Sequence, residues 1–394
     1  MARVVQELSR DEQAARFRRD IAHRYSPALT AVLKPIVRGV LRLCFASHMQ
    51  VDGLQHLCGI PRGTPIILSS VHKSHLDYVL LGLALHNGLH YLPGMIAGKN
   101  LFHGLFRHVL PQVKAICLDR VRVSPKNLRS RENLLYLSTF YDYLMDEMLT
   151  RGEMIVIFPE GGRSYDGRLL PLTLGVFGIA KRALQRGAPQ AAIVPVAVSY
   201  ERITEDAHFE ELLDVKQQSR HAYRRHDMRA FYQHALWQPR GATYVDLGAP
   251  LYIDDVRAMD ALESNLRARM GALMRVSACA LVGRAVRGVP QLRLAALTRQ
   301  IERDLDFLQM QSVRLCANVR GSGADIVRVA LPHLCNPRRG RDIIAIVTSA
   351  GGPLVQVRNA AVMNYYANTV EHFFAPAHAP ARMDDEPACT ADRG

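Results

Sequence analysis

The residues best suited to acid–base chemistry in this sequence are His72 and Asp77, in the stretch SSVHKSHLDYVLL. A carboxylate that accepts the Nδ1 proton of an imidazole fixes its tautomer and leaves Nε2 free to take a proton from an alcohol. Spacing alone is a weak signal, because about one His-x4-Asp match is expected by chance in a chain of this size. On a regular helix, residues five apart point about 140° from each other. The two side chains therefore meet only across a turn, and Ser74 is placed to cap a helix starting near His75. His75 is a competing imidazole, only two residues from the carboxylate. The plain alternative is a surface histidine in a polar turn.

A second loop, PEGGRSYDGR (159–168), follows the apolar run MIVIF. Gly161 and Gly162 let the backbone approach an anion, while Arg163 and Arg168 offer forked donors matched to phosphate oxygens. Arginine beside glycine is also common in solvated turns. Between these loops, Gly98-Lys99-Asn100-Leu101 opens a segment that leads to Asp119-Arg120-Val121-Arg122. GMIAGKN is one residue short of a phosphate-binding P-loop and carries Asn where a hydroxyl should hold magnesium. The sequence contains no G-x-S-x-G elbow, H-E-x-x-H helix or G-x-G-x-x-G turn, so covalent hydrolase, zinc protease and dinucleotide readings lose ground.

These loops need a scaffold, and short apolar runs supply one. PIILSSV (65–71), KAICL (114–118), MIVIF (154–158), AAIVPVAV (191–198) and TYVDLG (243–248) read as buried strands. YVLLGLAL (78–85), LLYLSTFYDYLMDEML (134–149) and LGVFGIAKRALQR (174–186) read as helices between them. Alternating strands and helices predict an α/β fold with a mainly parallel central sheet flanked by helices. Ligands of such sheets sit beyond the carboxyl ends of the strands, where all the loops above fall. Four segments are expected: an N-terminal amphipathic helical region (1–48), the α/β domain (49–255), a mostly helical region (256–375) with two short apolar runs, and a Pro- and Ala-rich disordered tail (376–394).

With 394 residues, 48% of them hydrophobic, the chain has material for a large core, and its formal charge of +14 predicts an anionic partner. Seven scattered cysteines without a C-x-x-C pair suggest reduced thiols in a cytosolic setting and no metal site. The first twenty residues are too charged for a secretory signal, and no stretch is long and apolar enough for a simple membrane span. In SPALTAVLKPIVRGVLRLCFAS (26–47), Lys34, Arg38 and Arg42 recur every four residues, mainly opposite Leu29, Val32, Leu33, Ile36, Val40 and Leu43. That pattern fits either a helix lying in a membrane interface or one packed on the domain with its basic stripe in water. The cluster RHAYRRH (220–226) would serve a distant alternative, a non-enzymatic protein that docks on nucleic acid or membrane through Arg220, Arg224 and Arg225. It reads better as a solvated helical face, and no nucleic-acid partner is expected.

Taken in order, HKSHLDY (72–78), GKNL (98–101), FPEGGRS (158–164) and VPVAVSYE (194–201) resemble the four motif blocks of the glycerolipid acyltransferases. The wording of the first block, and the late segment MNYYANTVEHFF (363–374), are most similar to the glycerol-3-phosphate and dihydroxyacetone-phosphate acyltransferase branch. Asp119 stands where that branch usually has the first of two arginines, and Tyr165-Asp166 replaces its commoner Arg-Thr. The resemblance implies that His72, held by Asp77, acts as general base on a substrate hydroxyl that attacks the thioester of acyl-CoA or acyl carrier protein directly, with no cofactor. It implies that Arg163 holds the glycerol phosphate, with Glu160, Gly161, Gly162 and Ser164 shaping the loop and Arg120 and Lys99 assisting. Pro195 would fall on the acyl-donor side. Glycerol-3-phosphate is the expected acceptor, with dihydroxyacetone phosphate and lysophosphatidate as alternatives. A lipid product favours the interfacial reading of 26–47 and places the protein peripherally on the cytoplasmic face of a membrane.

Overall fold

The computed structural model describes residues 9–173, 175–206, 209, 241–255, 262–335 and 342–375. The basic cluster at 220–226 and the tail from 376 lie outside the described residues. Helix α1 (Arg10–Ile21) opens on a reciprocal cap between Ser9 and Glu12, and α2 (Pro27–Val40) opens on Ser26 with proline in its first turn. A π-helical turn (Leu41–Phe45) ends the expected 26–47 helix slightly early, and the chain passes into β1 (Ala46–Asp52). There follow α3 (Gln55–Cys58), β2 (Ile66–Ser70), α4 (Asp77–Leu89), β3 (Gly94–Gly98), α5 (Phe106–Gln112) and β4 (Ala115–Leu118). Then come α6 (Arg131–Met145), β5 (Ile155–Ile157), α7 (Gly175–Gln185), β6 (Ala191–Tyr200), β7 (Gly241–Leu247) and β8 (Leu251–Ile253).

These strands form one sheet in the order β1-β7-β6-β2-β5-β3-β4, with β8 beside β6. β2 is central, parallel to β5 and β6, and β3 and β4 continue the parallel part. β7 and β8 run antiparallel to β6. The expected α/β class holds, and β1, β3 and β8 add to the five strands legible as apolar runs. Alternate residues of β2 serve opposite faces: Ile67 belongs to the buried cluster of Phe140, Leu144 and Ile179, and Leu68 to that of Leu80, Leu81 and Ala84. Burial on both faces is what near-continuous apolar strands require, at roughly 1.5–3 kcal/mol for each large side chain removed from water.

Beyond the sheet come α8 (Leu262–Leu273), α9 (Ala278–Ala285), β9 (Gln291–Arg293), α10 (Leu294–Met310) and α11 (Gly323–Leu334), then β10 (Ile344–Val347), β11 (Leu354–Val357) and α12 (Ala360–Phe374). The apolar runs there, β10 and β11, pair with each other, and β11 pairs with β9, in a small antiparallel sheet. The core does not stop at residue 255: Val276, Ala280, Ile301, Tyr365 and Tyr366 belong to the same buried cluster as Leu68, Val194 and Tyr244.

Candidate active site

Three neighbouring strands, β2, β5 and β6, end at one edge of the sheet, and their outgoing loops build the site. The first loop turns through residues 71–76 before α4 starts at Asp77. His72 Nδ1 lies 2.8 Å from Asp77 Oδ2. The same oxygen accepts the backbone N–H of Lys73 at 2.7 Å and of Ser74 at 3.0 Å, and the other takes the Tyr200 hydroxyl at 2.5 Å. Asp77 is fully buried while 14% of the His72 side chain remains accessible, so the dyad is anchored inside and open at its outer edge. With Nδ1 committed to the carboxylate, Nε2 is the nitrogen available to a substrate.

The helix-capping role expected of Ser74 is corrected. The helix starts two residues later than predicted, because the Asp77 carboxylate itself closes the turn over the N–H groups of residues 73 and 74. The Ser74 hydroxyl donates to Glu205 and accepts from Leu76 N. His75 is buried and points its backbone N–H at Glu205, so its place in the turn is structural.

The second loop grips the first through its main chain. Glu160 accepts the His72 N–H at 2.8 Å and the Leu170 N–H at 3.1 Å, and Ser164 N donates to the His72 carbonyl at 3.1 Å. Phe158 lays its ring on the imidazole, 4.5 Å between centroids. Gly161 has φ +70°, a left-handed conformation that suits glycine, and its N–H closes a turn onto the Phe158 carbonyl. At Gly162 a Cβ would meet open space, so that side of the loop is accessible.

Arg163 is not the solvent-facing guanidinium that its loop position suggests. It is buried, 3.2 Å from Glu205 Oε1 and 2.9 Å from the Tyr165 hydroxyl. An unpaired guanidinium at that depth would cost several kcal/mol, which is the physical reason a buried carboxylate faces it. Glu205, on the loop after β6, thereby ties Arg163 to Ser74 and His75. Of the other predicted cations, Arg120 donates to the Gly161 carbonyl at 2.9 Å and lies over Gly98, and the exposed Lys99 pairs with Asp119 at 2.9 Å. Arg168 is exposed at the same rim. Pro195 is buried in β6 beside Ser69 and Gly248, within the sheet rather than on the loops.

Sequence reasoning missed Lys73, Phe158, Tyr200 and Glu205. Lys73 is almost fully buried and donates to the Gly167 and Arg168 carbonyls at 3.1 and 2.8 Å, stitching the two loops together. A buried lysine beside a candidate base was a usable signal only once its depth was known. Burial holds the His72 imidazole below its ordinary pKa. Asp77 pulls it upward, while Arg163 and His75 act in the same direction as burial. Burial raises the Glu160 carboxyl against the opposing charge of Lys73, and lowers Lys73 against Glu160, Asp166 and Asp77. The Tyr200 hydroxyl is pushed well up by burial and by Asp77, so it stays protonated and donates. A neutral imidazole with its acceptor nitrogen at the open edge can take a proton from a bound hydroxyl.

Residues 50–199 match the family model described as Acyltransferase, the segment that contains both loops. Over 95% of this chain, a glycerol-3-phosphate acyltransferase of Pseudomonas putida is 27% identical, with 47% of its own length aligned. A relative of the same description from Actinobacillus succinogenes is 28% identical over 79% of this chain and 39% of its own. The chain thus spans about half the length of the curated relatives it matches. Among solved structures, the 1-acyl-sn-glycerophosphate (LPA) acyltransferase PlsC from Thermotoga maritima covers 67% of this chain and 81% of its own at 15% identity and a TM-score of 0.32.

Proposed function

We propose that this chain, whose residues 50–199 match the Acyltransferase family model, transfers an acyl group from a thioester donor to glycerol-3-phosphate, giving lysophosphatidate. The observation that carries the reading is the His72–Asp77 contact at the end of β2, inside the matched segment. Nε2 removes the proton of the sn-1 hydroxyl as its oxygen attacks the thioester carbonyl. The tetrahedral intermediate collapses, the C–S bond breaks, and the imidazolium returns the proton to the departing thiolate. No acyl-enzyme forms, so no nucleophilic Ser or Cys is required. General-base action of this kind supplies about 10²- to 10⁴-fold, and positioning of the two substrates must supply much of the rest.

The acceptor phosphate is met at the rim of the second loop. Arg120 and Arg168 provide the exposed positive charge there, while the buried Arg163–Glu205 pair supports the loop from beneath. The donor is acyl-CoA or acyl carrier protein, and its thioester must reach the open edge of His72.

Docking on the cytoplasmic face of a membrane belongs to the same proposal. No helix among the described residues is long and apolar enough to cross a bilayer. On α2 and the turn after it, Val32, Ile36, Val40 and Leu43 are 45–73% exposed, while Thr30 and Leu41 turn inward. Exposed apolar side chains on one side of the helix, with Arg38 and Arg42 on the other, suit a helix lying among lipid headgroups.

The test is an acceptor panel. The purified chain is given labelled acyl-CoA with glycerol-3-phosphate, dihydroxyacetone phosphate or lysophosphatidate separately. Labelled lysophosphatidate from the first acceptor is expected. Acylation of lysophosphatidate alone, or of none of the three, would overturn the proposal.

A further inference from the structure

Helix α12 lies in the segment that sequence reasoning left without a role, yet it touches the tip of the second catalytic loop at two points. Asn368 Nδ2 donates to the Asp166 carbonyl at 2.8 Å. One residue on, Gly167 has φ +88°, and a Cβ built there would lie 2.1 Å from the Tyr365 carbonyl oxygen, so the loop and the helix are in backbone contact. From the opposite side Lys73 donates to the carbonyls of Gly167 and Arg168. Residues 166–168 are therefore clamped between α12 and the neighbour of the catalytic histidine.

The clamp leads back to the base by a short path. Asp166 Oδ1 accepts from the Ser164 hydroxyl and the Arg168 N–H, both at 3.1 Å, and Ser164 N donates to the His72 carbonyl at 3.1 Å. Asn368 is itself fixed from behind, its Oδ1 accepting from Arg287, which also pairs with Glu371 at 2.5 Å. A loop tip whose carbonyls are satisfied by an asparagine and a lysine from separate elements has little freedom to drift, and small displacements at such a site cost rate.

We infer that Asn368 is a positioning residue for the acceptor: through Asp166 it sets the loop 158–168 that carries Glu160, Arg163 and the accessible face of Gly162. The inference rests on the acyltransferase reading above.

Asn368→Asp is the discriminating variant, because it keeps an acceptor for Arg287 while replacing the donor to Asp166 with a carboxylate. With wild type and variant assayed side by side, the acceptor kcat/KM is expected to fall about 10-fold or more. The donor KM and the melting temperature should stay unchanged. Hydrogen exchange in the absence of substrates is the second readout, and loop 158–168 should exchange faster in the variant while α9 and α12 do not. Unchanged acceptor kinetics and exchange would overturn the inference, as would a uniform loss in both substrates together with a lower melting temperature. An inactive wild type would instead count against the acyltransferase reading, and the exchange comparison would still decide the role of Asn368.

Discussion

Asp77→Asn removes one charge and almost no volume from the carboxylate that holds the base. Four donors converge on the carboxylate: His72 Nδ1, the N–H groups of Lys73 and Ser74, and the Tyr200 hydroxyl. Three of them meet Oδ2, so an amide can replace the carboxylate only with its oxygen at that position and its NH2 toward Tyr200, whose hydroxyl must then turn and accept. Each bond passes from charge-assisted, about 1.5–3 kcal/mol, to neutral, about 0.5–1.5 kcal/mol, a total loss of roughly 4 kcal/mol. The imidazolium formed during reaction loses its buried counter-charge at the same time. Thiol release from acyl-CoA in the presence of glycerol-3-phosphate should therefore show kcat lowered by about 10²- to 10⁴-fold. A melting curve should show the variant folded but less stable. A folded variant with kcat within about threefold of wild type would refute the idea that Asp77 orients and charges the base.

Three further outcomes follow from the structure. Because burial depresses the His72 pKa below its usual value near 6.5, kcat/KM should stay level as pH falls through 6.5 and decline only below the depressed value; a midpoint above 6.5 would contradict the burial argument. Burial pushes His372, on α12 with Nε2 3.1 Å from the Gly271 carbonyl, down to about 4, so it refuses protons that the unfolded chain accepts, and its contribution to stability is full above pH 6.5 and shrinks toward pH 4 by about 3 kcal/mol in all. Denaturant midpoints across that range should fall accordingly, and His372→Gln should flatten the slope. On α2, replacing Ile36 and Leu43 with serine should weaken binding to anionic vesicles while leaving turnover of a soluble short-chain donor intact. Unchanged sedimentation with vesicles would remove that helix from the membrane contact.

The sequence made the base and its carboxylate legible because both sit in one turn, where local spacing decides whether side chains meet. The central strands were legible for a related reason: β2, β5 and β6 are buried on both faces and so read as continuous apolar runs. β1 and β3 escaped notice, the one with polar ASHMQVD and the other with glycine at both ends of GMIAG, since neither carries such a run. The partners of the site escaped for another reason. Tyr200, Glu205 and Asn368 reach it only through folding, across 123, 131 and 202 residues of sequence separation from their partners Asp77, Ser74 and Asp166. The burial and pairing of Arg163 could not be judged from its own loop, because Glu205 arrives from the loop after β6. The segment from 256 was marked off by its mostly helical pattern, and α9, α10 and α12 share a buried cluster with the sheet.

The most direct measurement is the rate of acyl transfer to glycerol-3-phosphate by His72→Ala beside wild type, with melting temperature and vesicle binding recorded on the same samples. The variant is expected to be a folded, lipid-binding protein whose transfer rate is indistinguishable from the uncatalysed background. Transfer retained at a substantial fraction of the wild-type rate would show that the imidazole at the end of β2 is not the base.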